Sequence, residues 1–396
     1  MPWSYCGPAM KAKGTVMTSG TPDRQALEHY RSRVRGSLLG GAIGGALGGP
    51  VEFLSLETIH RKCGRDGVRE FQPESVEGSC AYGRITDGTQ MTLFTVEGMI
   101  RASVRTDRGL GFTIGVLHHA YDRWLDTQLL PGPDGARDGW LIAERWLYSR
   151  RAPSNTCLTA LHGPREGRRR LEGFGEPARN QSKGCGGVMR SAPFGLLPPW
   201  SWTSPEWQFT SAAQAAGYTH GHTTGRLASG ALAVLVGTIL RGETLTESVD
   251  ATVRLLRQQD GHEETVRAIE HAIVAARGSA SAGAVESLGG GWIAEEALAM
   301  AIYSALAHPE PDEMLDALAL AVTHSGDSDS TGAICGNILG ALHGEAALPP
   351  ELAFEVEGRG TILALADDFI YEFTANHRLH GDFGPSTRWT ERYPGW

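Results

Sequence analysis

Thr323-His324-Ser325-Gly326-Asp327-Ser328-Asp329-Ser330-Thr331 is the densest run of oxygen donors in this chain of 396 residues. Two aspartates two residues apart, interleaved with hydroxyls, form an all-oxygen donor set that suits Mg²⁺ or Mn²⁺ rather than zinc. The run is not an EF-hand loop, because the glutamate such a loop carries at its last position is missing. It stands before an apolar helix over 333–342, so a doubly capped helix start is the plainer reading of the same residues.

Two more carboxylates stand where a packing account expects none. Asp87, in Ile85-Thr86-Asp87-Gly88-Thr89-Gln90-Met91, precedes an amphipathic helix whose N-terminus favours negative charge, and alone it reads as a cap. Glu52 follows Gly48-Gly49-Pro50-Val51 at the end of a buried-looking helix. Ser182-Lys183-Gly184-Cys185-Gly186-Gly187-Val188-Met189-Arg190 is rich in glycine, and its bare backbone N–H groups can cradle a phosphate or simply turn the chain. It is not a P-loop, since Lys183 precedes the glycines and no GK[ST] occurs. Thr219-His220-Gly221-His222 has an HxH spacing that can hold zinc, as at a strand end in barrel amidohydrolases. Its flanks here are helical and rich in Ala and Gly, so a histidine aiding substrate placement, His220, fits better than zinc, and two structural histidines are the default.

The elements that must position these residues are helical. Leu27, Tyr30, Val34 and Leu38 fall at spacings of three and four, and Gly36, Gly40, Gly44 and Gly48 recur every fourth residue, a stripe that lets two helix backbones approach closely. Residues 53–85 read as irregular. Helical patterns follow over 89–104, 112–126, 140–149, 206–216, 223–241, 246–258, 263–277, 292–307, 311–323, 331–343 and 361–374. Pro131-Gly132-Pro133 and the polar stretch 163–187 read as loops, the latter holding a solvated Arg168-Arg169-Arg170 run. Alternating β-branched runs are scarce, so the class is all-α.

Composition narrows the function. A formal charge of −9 disfavours a general nucleic-acid binder. Six scattered cysteines without a CxxC argue against a structural zinc site and a secreted disulfide scaffold. The uncharged stretch from Ser37 to Val51 is shorter than the ~20 apolar residues of a membrane span. The first residues have no apolar signal region. The expectation is a cytoplasmic protein with a disordered leader over 1–22, one domain over 23–380 and a tail over 381–396.

In order, these segments resemble the ADP-ribosylglycohydrolase family, which includes the dinitrogenase-reductase-activating glycohydrolases. Gly41 to Phe53 is similar to its G-D-A-L-G-x-P-x-E opening, Ile85 to Met91 to its T-D-D-T-x-M, and Gly186 to Arg190 to its N/G-G-x-M-R loop. His220 matches its T-H segment and Gly326 to Thr331 its G-D-[ST]-D-[ST]. The resemblance spans roughly residues 30–375. It implies a single compact all-helical domain around a two-metal site for Mg²⁺ or Mn²⁺, and removal of ADP-ribose from modified side chains, often arginine. It implies metal ligation by Thr86, Asp87, Asp327, Asp329 and Ser330, and catalytic roles for Glu52 and Asp87. It also implies that Gly184, Cys185, Gly186, Gly187, Met189 and His220 contact the ADP-ribose.

Two positions depart from the pattern. Gly88 stands for the second aspartate of T-D-D-T, usually a metal ligand, and Gly45 for the aspartate of the opening motif. Asp87, Asp327 and Asp329 supply three negative charges against the four positive charges of two cations, with Glu52 a fourth if it is close. The expectation is one firmly held metal and one weak one. The leading reading is a metal-dependent hydrolase, expected as a monomer, acting on an ADP-ribosylated protein or an ADP-ribose-containing small molecule. The alternatives are a weakly active or inactive ADP-ribose binder and a structural protein.

Overall fold

A computed structural model describes residues 22–76, 79–107, 109–162, 176–374 and 387–395. The expected leader, save its last residue, and the Arg168-Arg169-Arg170 loop lie outside them. Among the described residues, the one sheet is a two-stranded antiparallel hairpin pairing Glu74–Val76 with Ser79–Ala81. Everything else regular is helical, as the scarcity of alternating runs predicts.

The first helix, Arg24–Gly48, starts where Asp23 accepts the Ala26 N–H. It lies antiparallel to the helix Ser328–His343, and glycines face glycines along the seam. A Cβ built on Gly40 would stand 2.6 Å from the Gly336 carbonyl oxygen, and one on Gly44 or Gly48 would come closer still to Gly332 or Ser328. No side chain separates the two backbones there, which only glycine permits. Ser37 Oγ donates to the Asn337 carbonyl at 2.9 Å, and Asn337 Nδ2 donates back to the Ser37 carbonyl at 2.7 Å. This reciprocal pair locks the register of the seam. The end of the first helix is thereby pinned against the start of the second, so Glu52 and the Asp327-Ser328-Asp329 run meet although 274 residues of chain lie between positions 52 and 327.

The remaining helices wall this pair in. Thr223–Leu240 is buried at every residue from Leu227 to Leu240. It is long and apolar enough to cross a bilayer, and 89% of it lies inside the protein, as a core helix does. Asp87–Asp107 packs Met91, Phe94, Val96 and Met99 inward, against Gly115–Leu129 and Arg359–Thr374. Glu97 on this helix and Arg123 on Gly115–Leu129 form a buried ion pair between the two at 2.8 Å.

Local readings differ in several places: the short helices Asn155–His162, Ala192–Gly195, Ala282–Glu286 and Pro350–Glu355 lie outside the expected spans. The helix expected over 140–149 is two 3₁₀ turns, Leu141–Ala143 and Arg145–Leu147, because Glu144 between them is extended (φ −69°, ψ 102°) and breaks the i→i−4 ladder. The irregular stretch 53–85 contains a helix, Leu56–Cys63, started by a Ser55 cap on the Thr58 N–H. Within the expected tail, Thr387–Arg392 is helical and docks onto Arg359–Thr374: Tyr393 Oη donates to Asp368 Oδ2 at 2.5 Å and Trp389 Nε1 to Glu372 at 2.9 Å.

Candidate metal centre and active site

Three carboxylates converge where the glycine seam ends. Oxygens of Glu52, Asp327 and Asp329 all lie within 4.8 Å of one another. Glu52 stands at the end of the 3₁₀ turn Gly49–Val51, its N–H donating to the Gly48 carbonyl at 3.0 Å. Asp327 is the N-cap of Ser328–His343, and the Ser330 N–H donates to Asp327 Oδ1 at 3.3 Å and to Asp329 Oδ1 at 2.8 Å. The capped helix start and the donor cluster are therefore the same residues. Capping consumes one oxygen of each aspartate and leaves the others for the centre.

Asp87 opens the next wall, as the first residue of Asp87–Asp107. Its Oδ2 is buried without a hydrogen-bond partner, and so are Thr86 Oγ1 and Thr89 Oγ1. Buried oxygens are rarely left unsatisfied, since each costs roughly 1–3 kcal/mol. Their chemistry is that of hard-cation ligands. The charges agree. Burial, then Asp327 and Asp87, push the Glu52 carboxyl up to about 8. Burial and Asp327 push Asp87 up to about 7, against backbone N–H groups of Ser154 and Gly88 and the Arg190 charge. Burial, then Asp327 and Glu52, push Asp329 up as well. Carboxylates packed this closely cannot all ionise without added positive charge. The residues present thus fit a divalent cation.

The glycine loop forms the opposite wall. Its 3₁₀ turn Cys185–Gly187 is tied down by the Cys185 N–H to the Trp292 carbonyl at 3.2 Å and by the Ala294 N–H to the Lys183 carbonyl at 2.8 Å. Lys183 points away, to Glu264 at 2.9 Å and Glu295 at 2.5 Å. Cys185 Sγ donates to Asp327 Oδ2 at 2.8 Å. Ser330 Oγ donates to Cys185 Sγ and Met189 Sδ rather than to a carboxylate.

His220 lies beneath this loop. Cβ atoms built on Gly184, Gly186 and Gly187 would stand 3.4, 3.1 and 3.6 Å from its ring. Its Nδ1 shares a 2.8 Å hydrogen bond with Thr219 Oγ1, while Nε2 is buried without a partner. Burial and the Arg190 charge push it down to about 3, so it is neutral at physiological pH. His222 instead caps Thr223–Leu240, accepting the Thr224 N–H at 3.2 Å. The HxH pair therefore splits into two separate tasks, which removes the zinc reading.

The structure brings Glu52, Asp87, Asp327, Asp329 and Ser330 to one point, with Cys185, Met189 and His220 on the facing loop. Four residues had no individual role from the sequence, although Arg190 closes the glycine-loop motif. Thr89 carries the third of these orphaned oxygens, and its place two residues after Asp87, at the start of the same helix, is a usable signal. Arg190 is fully buried, donates to Thr219 Oγ1 at 2.6 Å and sits 4.2 Å over the Tyr121 ring, aiming its charge at Asp87 and His220. Phe53 and Trp292 stack at the rim with ring centroids 5.0 Å apart, although they are 72% and 41% exposed. Phe53 holds φ at 67°, a region a bulky residue rarely occupies. No local pattern announces that pair.

Gly45 and Gly88, the two departures, both border the centre. A Cβ on Gly45 would stand 3.4 Å from Thr86 Oγ1 and 3.5 Å from Thr89 Oγ1. One on Gly88 would stand 2.9 Å from Met189 Sδ, so a thioether fills the space beside the missing carboxylate.

Comparison with known proteins bears on this arrangement. No curated protein matches the chain. A solved structure titled ADP-ribosylglycohydrolase-related protein complex matches with a TM-score of 0.62 over 88% of this chain and 99% of that one. At 23% identity that likeness concerns the fold alone. The family model described as ADP-ribosylglycohydrolase matches residues 26–379, from the first helix to just beyond Arg359–Thr374, and so takes in every wall of the centre. The chain belongs to the ADP-ribosylglycohydrolase family.

Proposed function

We propose that this protein is a divalent-metal-dependent hydrolase that removes ADP-ribose from modified protein side chains, with arginine as the favoured attachment. The observation that carries the reading is the meeting of Glu52, Asp327 and Asp329 beside the orphaned oxygens of Thr86 and Asp87. Thr86, Asp87, Asp327, Asp329 and Ser330 would hold the cation. Mg²⁺ or Mn²⁺ bound there supplies positive charge for orienting ribose hydroxyls and acidifying a water.

The chain's own groups do the rest. The bond to the ribosyl C1″ breaks through an oxocarbenium-like state, which nearby carboxylates stabilise electrostatically. Glu52, half-buried at the rim, is the general acid/base: it holds a proton for the leaving nitrogen or takes one from the attacking water. The neutral His220 offers its free Nε2 to the ligand through the glycine loop, whose missing side chains let the diphosphate approach the backbone. Phe53 and Trp292 present an aromatic face for the adenine.

A second reading, an ADP-ribose binder without turnover, is favoured by Gly88, where Met189 sulfur stands in for a carboxylate. Incubation with an ADP-ribosyl-arginine peptide and Mg²⁺ or Mn²⁺, reading released ADP-ribose, separates the two. Release establishes the hydrolase. Binding of ADP-ribose without release under either metal replaces it with the binder.

A further inference from the structure

The helix Gly115–Leu129 carries a group of side chains that the acidic centre does not use. His118, His119 and Asp122 stand in its first two turns, with Asp122 four residues after one histidine and three after the other. At 3.6 residues per turn both spacings make side chains neighbours on the helix surface, so the carboxylate borders both rings. One ring nitrogen of each histidine and one Asp122 oxygen all lie within 4.8 Å of one another. His118 Nδ1 is 3.7 Å from Asp122 Oδ2. All three residues are partly exposed, which gives an ion a path from solvent.

The core holds this group from behind. Leu117, Ala120, Tyr121, Trp124 and Leu125 of the same helix are fully buried. The His118 ring packs edge-on against Tyr218, with centroids 5.4 Å apart. Donors on a rigid, packed helix keep their geometry better than donors on a loop. Two arginine charges, Arg123 and Arg137, bear on His119. Each is already paired, Arg123 with Glu97 and Arg137 with Asp126, both at 2.8 Å, so neither is a bare charge opposing a cation. Glu97, opposite Arg123, stands ten residues beyond Asp87, about 15 Å along the helix Asp87–Asp107. The group therefore lies apart from the acidic centre. An i,i+4 ion pair accounts for His118 and Asp122, but it does not need His119, whose ring nitrogen reaches the same point.

We propose that His118, His119 and Asp122 form a second metal site, outside the acidic centre, that takes a nitrogen-seeking divalent cation of the Zn²⁺ kind. Two imidazoles and a carboxylate are donors that suit zinc and its neighbours, whereas Mg²⁺ seeks oxygen alone and does not compete for them. Zinc bonds of about 2.0–2.1 Å at tetrahedral angles place neighbouring ligand atoms about 3.4 Å apart. The 3.7 Å between His118 Nδ1 and Asp122 Oδ2 closes to that with a small side-chain rotation. Three protein donors leave the fourth position to water, the composition of an open zinc site rather than a closed structural one. The site does not depend on the reading of the acidic centre.

The test uses the full chain in excess Mg²⁺, offered to occupy the oxygen-lined centre. It is titrated with Zn²⁺ by calorimetry and with Co²⁺ by visible absorption, at about pH 7.5, where an ordinary histidine is neutral and free to coordinate. Saturable Zn²⁺ binding and Co²⁺ ligand-field bands are expected in the wild type, and equally in Asp329→Asn. His119→Ala and Asp122→Asn should each weaken Zn²⁺ binding by more than the about 10–100-fold that loss of an outer-shell partner costs. Asp122→Asn is nearly isosteric and keeps the test open should a histidine variant fold poorly. Zn²⁺ binding at full strength in both variants places the ion elsewhere and overturns the proposal. So does binding that is lost in Asp329→Asn and kept in those two, which assigns the zinc to the acidic centre. No saturable Zn²⁺ binding in the wild type also overturns it, and leaves the reading of the acidic centre standing.

Discussion

The glycine seam between Arg24–Gly48 and Ser328–His343 has two ends, built by the same packing and put to opposite electrostatic uses. At the Gly36–Gly340 end the charges are paired inside the protein. Arg35 bonds Glu345 at 2.8 Å and Asp367 at 3.0 Å, and Arg31 bonds Asp367 at 3.0 Å. At the Gly48–Ser328 end, Glu52, Asp327 and Asp329 face one another with no ion pair among the described residues. Close backbone approach brings residues together regardless of their charge. What distinguishes the ends is whether a cationic side chain arrives with them. Where arginines arrive, the end is a clamp. Where none does, the uncompensated charge marks the candidate site, because the countercharge must come from bound protons or from a cation outside the chain.

The largest expected effect lies at the uncompensated end. Glu52→Gln keeps shape and hydrogen bonding but removes the base, so turnover should fall about 10²–10⁴-fold while ADP-ribose binding survives. Initial rates and a binding isotherm check both halves, and unchanged turnover would make Glu52 a bystander of the seam. Next, Asp327→Ala and Asp329→Ala should each abolish the thermal shift on adding divalent metal. In the wild type that shift should correspond to about 2.7 kcal/mol at a hundred times Kd. A full shift in both variants would place the cation elsewhere and erase the contrast between the ends.

The seam itself comes third. Gly44→Ala forces a Cβ into the Gly332 backbone and should cost about 1–3 kcal/mol, read as a lower denaturation midpoint. Because it also pushes Asp329 away from Glu52, metal affinity should drop with stability. A stable variant with normal metal binding would show that the seam does not position the site.

The pH response should separate the ends without mutation. In the metal-free protein Glu52 and Asp87 are raised to about 8 and about 7, above their ordinary unfolded values near 4. The folded state binds those protons more tightly. Their contribution is therefore full below about pH 4 and is lost as pH rises through 7 to 8. Metal-free thermal stability should decline from pH 6 to 8.5, and saturating metal should flatten that decline. A metal-free protein equally stable across this window would mean that the cluster's charges are already compensated. The smallest effect belongs to the clamp. Arg35→Met breaks two half-exposed ion pairs and should cost no more than about 1 kcal/mol, leaving metal affinity untouched. A large loss of metal binding in this variant would show that the two ends are coupled.

Sequence alone carried the helical class, most helix spans and the cluster residues, because each rests on short-range pattern. The four-residue spacing of Gly36, Gly40, Gly44 and Gly48, the Asp327-Ser328-Asp329 alternation and the Asp87 helix start all lie within a few turns of one chain segment. Backbone geometry converts such spacings directly into a shared face or a cap. The two 3₁₀ turns over 140–149 escaped because one extended residue, Glu144, breaks a pattern whose apolar spacing still looks helical.

Contacts between distant segments were decided only by the tertiary structure. Nothing in the spacing of Gly332, Gly336 and Gly340 names the first helix as their partner, and nothing near Cys185 announces Asp327, 142 residues away. Nor does any local pattern place Met189 beside Gly88 or stack Phe53 on Trp292. Short-range periodicity states which faces are apolar, small or charged. Which faces meet is settled by burial and close packing of the whole chain at once, and here that step turned a capped helix start and a glycine turn into one acidic, sulfur-bordered centre.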